Sequence, residues 1–260
     1  MNAVTTRGSA GELVGRLPSM SLPEVDAHAA LQTRVDRKYV VGEDALAELL
    51  DGLRWRLAAL EIDGRREARY RSVYFDTPGL EAYLGAARRR RHRFKVRTRS
   101  YLDSGTAMLE VKTREGRGMT HKRRIAHDPE MTDRLDVTGA MFVDTEIGSP
   151  GLSSQLTPTL ATSYGRTTLV DRDDTARLTI DSDLRCTALS GALAGRSVGP
   201  GDEFIVETKS ASRPCAVDRW LWHHGIRPVR FSKYGTGLAA LDPSLPANKW
   251  HHVRRHLNPC

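Results

Sequence analysis

Residues 94–112, FKVRTRSYLDSGTAMLEVK, show most clearly how polar and apolar positions alternate along this chain. Lys95, Arg97 and Arg99 fall on one parity and Phe94 and Val96 on the other, the period of a half-buried strand. After the turn residues Asp103, Ser104 and Gly105 the alternation resumes, with Glu110 and Lys112 opposite Leu109 and Val111, so the stretch predicts a hairpin. One face is apolar, and the other carries four cations and one carboxylate. The same parity recurs. In residues 33–41, TRVDRKYVV, it sets Arg34, Asp36 and Lys38 against Val35, Arg37 and Tyr39. Further strands are predicted at residues 69–77 (RYRSVYFDT) and 120–125 (THKRRI), the second with Lys122 and Arg124 on one face. Residues 166–170 and 177–181 predict a second hairpin across an acidic turn, with Arg177, Thr179 and Asp181 opposite Leu178 and Ile180. Residues 204–209 place Glu207 and Lys209 opposite Phe204 and Val206, and residues 228–234 read as a final strand.

Helices are predicted between these strands. One runs from about residue 43 with Leu46, Leu49, Leu50 and Leu53 at helical spacing. A short one, capped by Thr77 with Pro78 in its first turn, carries Leu80, Tyr83 and Leu84. Another opens at Pro214, carries Val217, Trp220 and Leu221, and stops at Gly225; a short one follows Gly235 and Gly237. Residues 128–160 read as short helices and loops. Residues 1–28 read as a flexible lead-in, 29–243 as the folded domain, and 244–260 as a mobile basic tail.

At least seven strands with charges on one parity imply a sheet whose polar face is the inside of something and whose apolar face packs against helices. An antiparallel barrel with a wet lumen, in an α+β fold, satisfies this. The inward set would comprise Arg34, Lys38, Arg69, Arg71, Lys95, Arg97, Arg99, Lys112, Lys122, Arg124, Arg166, Arg177, Lys209 and Lys233, against Asp36, Glu110, Asp181 and Glu207. Cations so crowded repel unless a polyanion neutralises them. Arg and Lys suit phosphate oxygens, and the few carboxylates can hold a divalent metal that bridges phosphates. The expected ligand is a compact phosphate chain with a metal ion.

Bulk composition narrows the choice of partner. The formal net charge of +8 over 260 residues favours an anionic ligand. Aromatic residues make up 6% of the chain, few for stacking bases, so nucleic acid is not the expected partner. The run from Arg88 to Arg93 is a solvated loop or a basic collar at an anion site. Cys186, Cys215 and Cys260 are odd in number and have no CxxC spacing, which fits a reducing compartment. His251, His252, His256 and Cys260 match no common metal-site spacing. The first twenty residues lack an apolar signal core, and no window is long enough for a membrane span, so a cytoplasmic location is expected.

The ordered series TRVDRKYVV, SVYFDTPGLEAY, FKVRTRSY, LEVKTREGRGMTHKRR, RLTID, FIVETKS and FSKYGTG resembles the VTC domain over residues 30–240. That domain is the polyphosphate polymerase branch of the triphosphate tunnel (CYTH-like) metalloenzymes. The resemblance implies an antiparallel tunnel of eight strands walled by helices. It also implies transfer of the ATP γ-phosphate to a growing polyphosphate chain with Mn²⁺ or Mg²⁺, and a membrane partner that carries the product away. Lys38, Arg97, Arg99, Lys112 and Lys233 are then the expected catalytic cations. Arg34, Arg71, Lys95, Lys122, Arg124, Arg166, Arg177 and Lys209 are the expected substrate contacts. Glu207 is the implied metal ligand, with Glu110 and Asp181 as secondary candidates. Hydrolase and cyclase relatives open with an ExExK strand. Here Arg34 replaces the first acid, which favours the polymerase over a tripolyphosphatase. The alternatives are a triphosphate hydrolase of the same fold and a non-catalytic binder of polyphosphate or RNA.

Overall fold

The computed structural model describes residues 10–28, 35–114 and 119–260, so Arg34 lies outside the described residues. In chain order the elements begin with α1 (Ala10–Gly15), β1 (Ser19–Met20), α2 (Leu22–His28), β2 (Val35–Gly42), α3 (Glu43–Gly52), β3 (Leu57–Leu60) and β4 (Glu67–Asp76). Then come α4 (Glu81–Ala87), β5 (Arg93–Tyr101), β6 (Thr106–Arg114), β7 (Thr120–His127), α5 (Val137–Ile147), β8 (Thr157–Asp171) and β9 (Arg177–Ala188). The chain closes with β10 (Ser197–Gly199), β11 (Glu203–Ser210), α6 (Ala216–His223), α7 (Lys233–Leu241) and β12 (Asn258–Pro259). Among the described residues, eight strands (β2, β4 to β9 and β11) run for eight residues or more. The fold is the expected α+β type, and the pairings among these long strands are antiparallel. No helix among the described residues is long and apolar enough to cross a membrane.

The chain divides into two compact units. The first comprises the described parts of Met1–Ala68, Gly165–Asp183 and Asp202–Val229. Here β11 lies between β2 and β9, with Glu207 opposite Lys38 on one side and Thr179 on the other. Tyr39, Val41, Leu178, Ile180 and Val206 turn away from those charges. They pack against Leu46, Leu49 and Leu50 of α3 and Val217 and Leu221 of α6. Each such side chain contributes about 1.5–3 kcal/mol by leaving water. Arg37 shares the apolar parity because a buried acid awaits it. Asp218 of α6, fully buried, accepts from Tyr39 Oη at 2.7 Å, Thr208 Oγ1 at 2.6 Å, Cys215 N at 3.0 Å and Arg37 Nη1 at 3.2 Å. The segment read from sequence as a lead-in carries α1 and α2. Leu13, Val14 and Leu17 join the core of this unit, though they are too few to give a visible period.

The second unit comprises Arg69–Tyr164, Leu184–Gly201 and Arg230–Cys260. Strands β4, β5, β6 and β7 form an antiparallel meander in which Arg97 faces Tyr74 on one side and Glu110 on the other, and Lys95 faces Lys112. Gly105, at φ 64°, lets the β5–β6 turn reverse. Val73, Phe75, Val96, Leu109 and Val111 form the apolar face and pack against Val143 of α5. The helix after Pro78 starts later than the sequence suggests. Leu80 takes a left-handed conformation (φ 54°) and α4 begins at Glu81, so Pro78 sits in the preceding turn. Thr77 Oγ1 still accepts from Glu81 N at 3.2 Å, but the stronger cap is the buried Asp76 carboxylate, which accepts from Ala82 N and Tyr83 N, each at 2.9 Å.

Two further expectations are corrected in this unit. Residues 228–232 are not a strand. The Ser232 hydroxyl accepts from Gly235 N at 3.1 Å and caps α7, so the expected strand end Ser-Lys-Tyr instead starts a helix. Nor are the last residues a loose tail, since Trp250, Val253 and Leu257 are buried and β12 pairs with β10. A Cβ placed on Gly235 would lie 2.2 Å from the Trp250 ring, so that ring docks where α7 has no side chain.

Asp218→Ala should destabilise the protein by about 3–5 kcal/mol, because it leaves the Arg37 charge and three further donors without their acceptor. Urea unfolding followed by the fluorescence of Trp220 and Trp222 reads this loss. A cost below about 1 kcal/mol would show that the network does not hold α6 to its sheet.

Candidate functional site

In the first unit, β2 and β11 bring Lys38 and Glu207 face to face, and their charged groups form a salt bridge. Lys209 Nζ approaches the other Glu207 oxygen at 3.9 Å. Burial pushes the Glu207 carboxyl up, but Lys38, Lys209 and Arg166 together outweigh it and bring the pKa down to about 2. Four sequence-predicted residues, Lys38, Arg166, Glu207 and Lys209, therefore share one electrostatic neighbourhood. Asp181 is paired: Arg166 Nε and Nη2 donate to its two oxygens at 2.6 and 2.9 Å. Arg177 reaches the other way, to Asp26 of α2 at 2.9 Å. Directly across the ladder from Glu207, the buried Thr179 hydroxyl has no hydrogen-bond partner.

In the second unit the centre is Glu110, 3% exposed at its side chain. One of its oxygens accepts from Arg97 Nε at 2.7 Å, and the other accepts from Lys122 Nζ at 2.7 Å. Burial raises the Glu110 carboxyl, and the opposing pull of Arg97, Arg99 and Lys122 lowers it to about 2. Burial also lowers the Lys122 amine, against the attraction of Glu110. Arg97 further donates to Tyr74 Oη at 3.0 Å, and Arg99 donates to Tyr164 Oη at 3.1 Å. Lys233, at the start of α7, holds its ammonium 4.2 Å from the centre of the Tyr164 ring. Arg124 stands opposite Glu110 in register. Lys95 Nζ donates to Ser232 Oγ at 2.8 Å, and Lys112 faces Lys95 across the ladder. Arg71 contacts Thr132 Oγ1 at 3.3 Å, and Arg69 pairs with Asp103 at 3.1 Å.

Among the described residues no group of three His, Cys, Asp or Glu side chains is gathered for a metal. Hard ions such as Mg²⁺ commonly bind one or two carboxylates and complete their shell with phosphate and water oxygens. Glu207 fits that pattern, because one oxygen is held only loosely by Lys209 and the orphan Thr179 hydroxyl lies across the ladder. Glu110 and Asp181 do not fit it here, since Arg97, Lys122 and Arg166 already occupy both oxygens of each.

Sequence reading passed over Tyr74 and Tyr164, and although parity set Thr179 on the polar face it was not counted among the site residues. Each is an ordinary strand residue by composition, and only its cross-strand neighbour makes it notable. The exception is Trp250, Val253 and Leu257, whose apolar helical spacing is a legible sign that the last residues pack.

A family model described as the VTC domain matches residues 33–242. Similar solved structures include a candidate adenylyl cyclase from Hippeastrum, described as having a dominant triphosphatase activity. It is 14% identical, covers 78% of this chain and 94% of its own, and has a TM-score of 0.48. A candidate adenylate cyclase from Vibrio parahaemolyticus is 10% identical over 77% and 95% of the two chains, with a TM-score of 0.43. A conserved hypothetical protein from Pyrococcus furiosus is 12% identical over 78% and 99%, at 0.39. No curated protein matches the chain significantly.

The lowered carboxyls set an acid-stability window. Glu110 and Glu207 titrate near 2 when folded against an ordinary 4.5, so each contributes stability that is complete above about pH 4.5 and fades as pH falls toward 2. Thermal midpoints from pH 7 to 3 should drop below pH 4.5, and the drop should be shallower in Glu110→Gln. An unchanged acid slope in that variant would show that Glu110 is not ion-paired in solution.

Proposed function

The chain belongs to the VTC domain family, and from that premise we propose that it transfers the γ-phosphoryl group of ATP to the end of an inorganic polyphosphate chain and releases ADP. The observation that carries this reading is the make-up of the two charge clusters. Glu207 lies among Lys38, Lys209 and Arg166, the last of which also holds Asp181, and Glu110 is a single carboxylate between Arg97 and Lys122 with Arg99 beside it. Such clusters suit a ligand that brings several adjacent negative charges.

The transfer needs no nucleophile from the protein. A terminal oxygen of the acceptor chain, ionised at neutral pH, attacks the γ-phosphorus. The bond from that phosphorus to the bridging oxygen breaks, and the electron pair leaves with ADP. Catalysis of such a step is mostly positioning and charge stabilisation. Lys38, Lys209 and Arg166 hold phosphoryl oxygens and offset the charge that moves to the bridging oxygen. Arg97 and Arg99 present planar forks to a phosphate, while Lys112 and Lys233 act as point charges. A Mn²⁺ or Mg²⁺ ion held by Glu207, with Thr179 beside it, would neutralise phosphate charge when bound. Tyr74 and Tyr164 orient the two arginines by accepting their hydrogen bonds.

Incubation of the purified chain with ATP and Mn²⁺ should produce long polyphosphate, visible on a gel, together with ADP. Phosphate release without chain growth would replace this reading by a triphosphatase, and tight polyphosphate binding without turnover would replace it by a binder. Glu207→Gln should lower turnover at least ~100-fold while circular dichroism stays unchanged. Arg99→Gln should raise KM for ATP roughly ten- to a hundredfold, since a hydrogen bond to a charged group is worth about 1.5–3 kcal/mol.

A further inference from the structure

The first unit holds a cavity on the side of its sheet away from Glu207. Ile180 and Ser182 of β9 and Thr167 of β8 line it, on the parity opposite Thr179, Asp181 and Arg166. Val14 of α1, Leu46 of α3 and Phe204 of β11 add apolar walls, and the enclosed space is about 190 Å³. Gly11 and Gly15, one turn apart on α1, also line it, and a Cβ on Gly15 would meet nothing within 4 Å. Part of one wall is therefore bare backbone.

One carboxylate lines this space, that of Glu67 at the start of β4. It rests against Gly165 of β8, where a Cβ would lie 2.6 Å from each of its oxygens. Glycine weakens a strand interior and often marks a close approach; here it admits a charged group onto the 15-residue β8. Among the described residues Glu67 has one polar partner, the Ser182 hydroxyl, which donates to Oε2 at 2.8 Å. The cation next to it in the chain is already engaged. Arg66 Nη1 donates to Val14 O, Gly15 O and Leu17 O at 2.6, 3.0 and 2.8 Å, and its Nε donates to Glu61 at 2.8 Å.

We propose that this cavity binds a small primary alkylammonium ion, its chain against Val14, Leu46, Ile180 and Phe204 and its nitrogen at Glu67 and Ser182. The apolar walls select a hydrocarbon chain, and the carboxylate selects a positive charge at one end of it. A primary ammonium has three N–H donors, and Glu67, Ser182 and Thr167 offer acceptor oxygens. A quaternary ammonium has no such donor and is recognised by a cage of aromatic faces. This cavity has a single aromatic ring, Phe204. Size sets the chain length: an apolar cavity of roughly 150 Å³ takes benzene, so about 190 Å³ suits about five carbons and the nitrogen. The site shares no residue with the Glu207 and Glu110 clusters and does not depend on the reaction proposed for them.

The test is calorimetric titration of the full chain with n-pentylammonium chloride at pH 7, which should give saturable binding with a Kd of about 1 mM or tighter. n-Pentanol has the same chain without the charge and should bind at least about threefold more weakly, the scale of a partly solvated ion pair. Glu67→Gln should weaken n-pentylammonium by a similar factor and leave n-pentanol unchanged. Glu67 is an exposed residue, so the variant should keep its fold, which circular dichroism checks. Absence of saturable binding, equal affinity for n-pentanol, or undiminished n-pentylammonium binding in Glu67→Gln overturns the proposal.

Discussion

Glu207 bears one negative charge among Lys38, Lys209 and Arg166, and Glu110 bears one between Arg97 and Lys122 with Arg99 close by. Burying carboxylates this deeply opposes their ionisation, and only the surrounding cations keep them charged. The cations in turn gain a partner that limits their mutual repulsion. The Glu110 cluster, with Arg97, Arg99 and Lys122 around one carboxylate, remains positive after that pairing. In the proposed function, phosphate would be bound by the same cations that make these buried carboxylates tolerable in the folded chain.

Such clusters persist only if the strands cannot slip. A shift of one residue between β2 and β11 would turn Lys38 or Glu207 into the apolar face that now holds Tyr39, Val41 and Val206. Two buried acids, one in each unit, oppose slippage of the strands. Asp218 ties α6 to Tyr39 and Arg37 of β2 and to Thr208 of β11. Asp76 ties β4 to the start of α4 and, through Tyr234 Oη at 2.5 Å, to α7. Tyr234 stacks on Tyr74, which accepts from Arg97, so the anchoring of a helix reaches one of the expected catalytic cations through two rings.

Parity was a reliable guide where an element presents one face to a core. The β5–β6 hairpin, the strand at Lys38 and the strand at Glu207 lie where alternation placed them, because a period of two is a local property of the backbone. Parity failed where an interaction distant in sequence overrides a local signal. Residues 228–232 alternate plausibly, yet the Ser232 cap sends the following residues into α7. Leu13, Val14 and Leu17 are too few to show a period, yet they are buried against a core assembled from later strands. Arg37 broke the polar–apolar pattern, and only Asp218 explains its place.

By itself the sequence determined the α+β class, the strand faces and the excess of cations on their polar side, because these follow from side-chain order and composition. It also carried the ordered motifs that place the chain in the VTC domain family. Only the tertiary structure decided which cation meets which acid. Lys38 and Glu207 become neighbours through the register of β2 on β11, and Arg97, Glu110 and Lys122 through the registers of β5, β6 and β7. It alone separated Glu207, one of whose oxygens is held only at 3.9 Å by Lys209 and stands near an unpartnered threonine, from Glu110 and Asp181, whose oxygens are fully engaged. The reason is physical: the parity of a strand is set by its own residues, whereas the distance between two charges depends on every strand and helix that fixes their register.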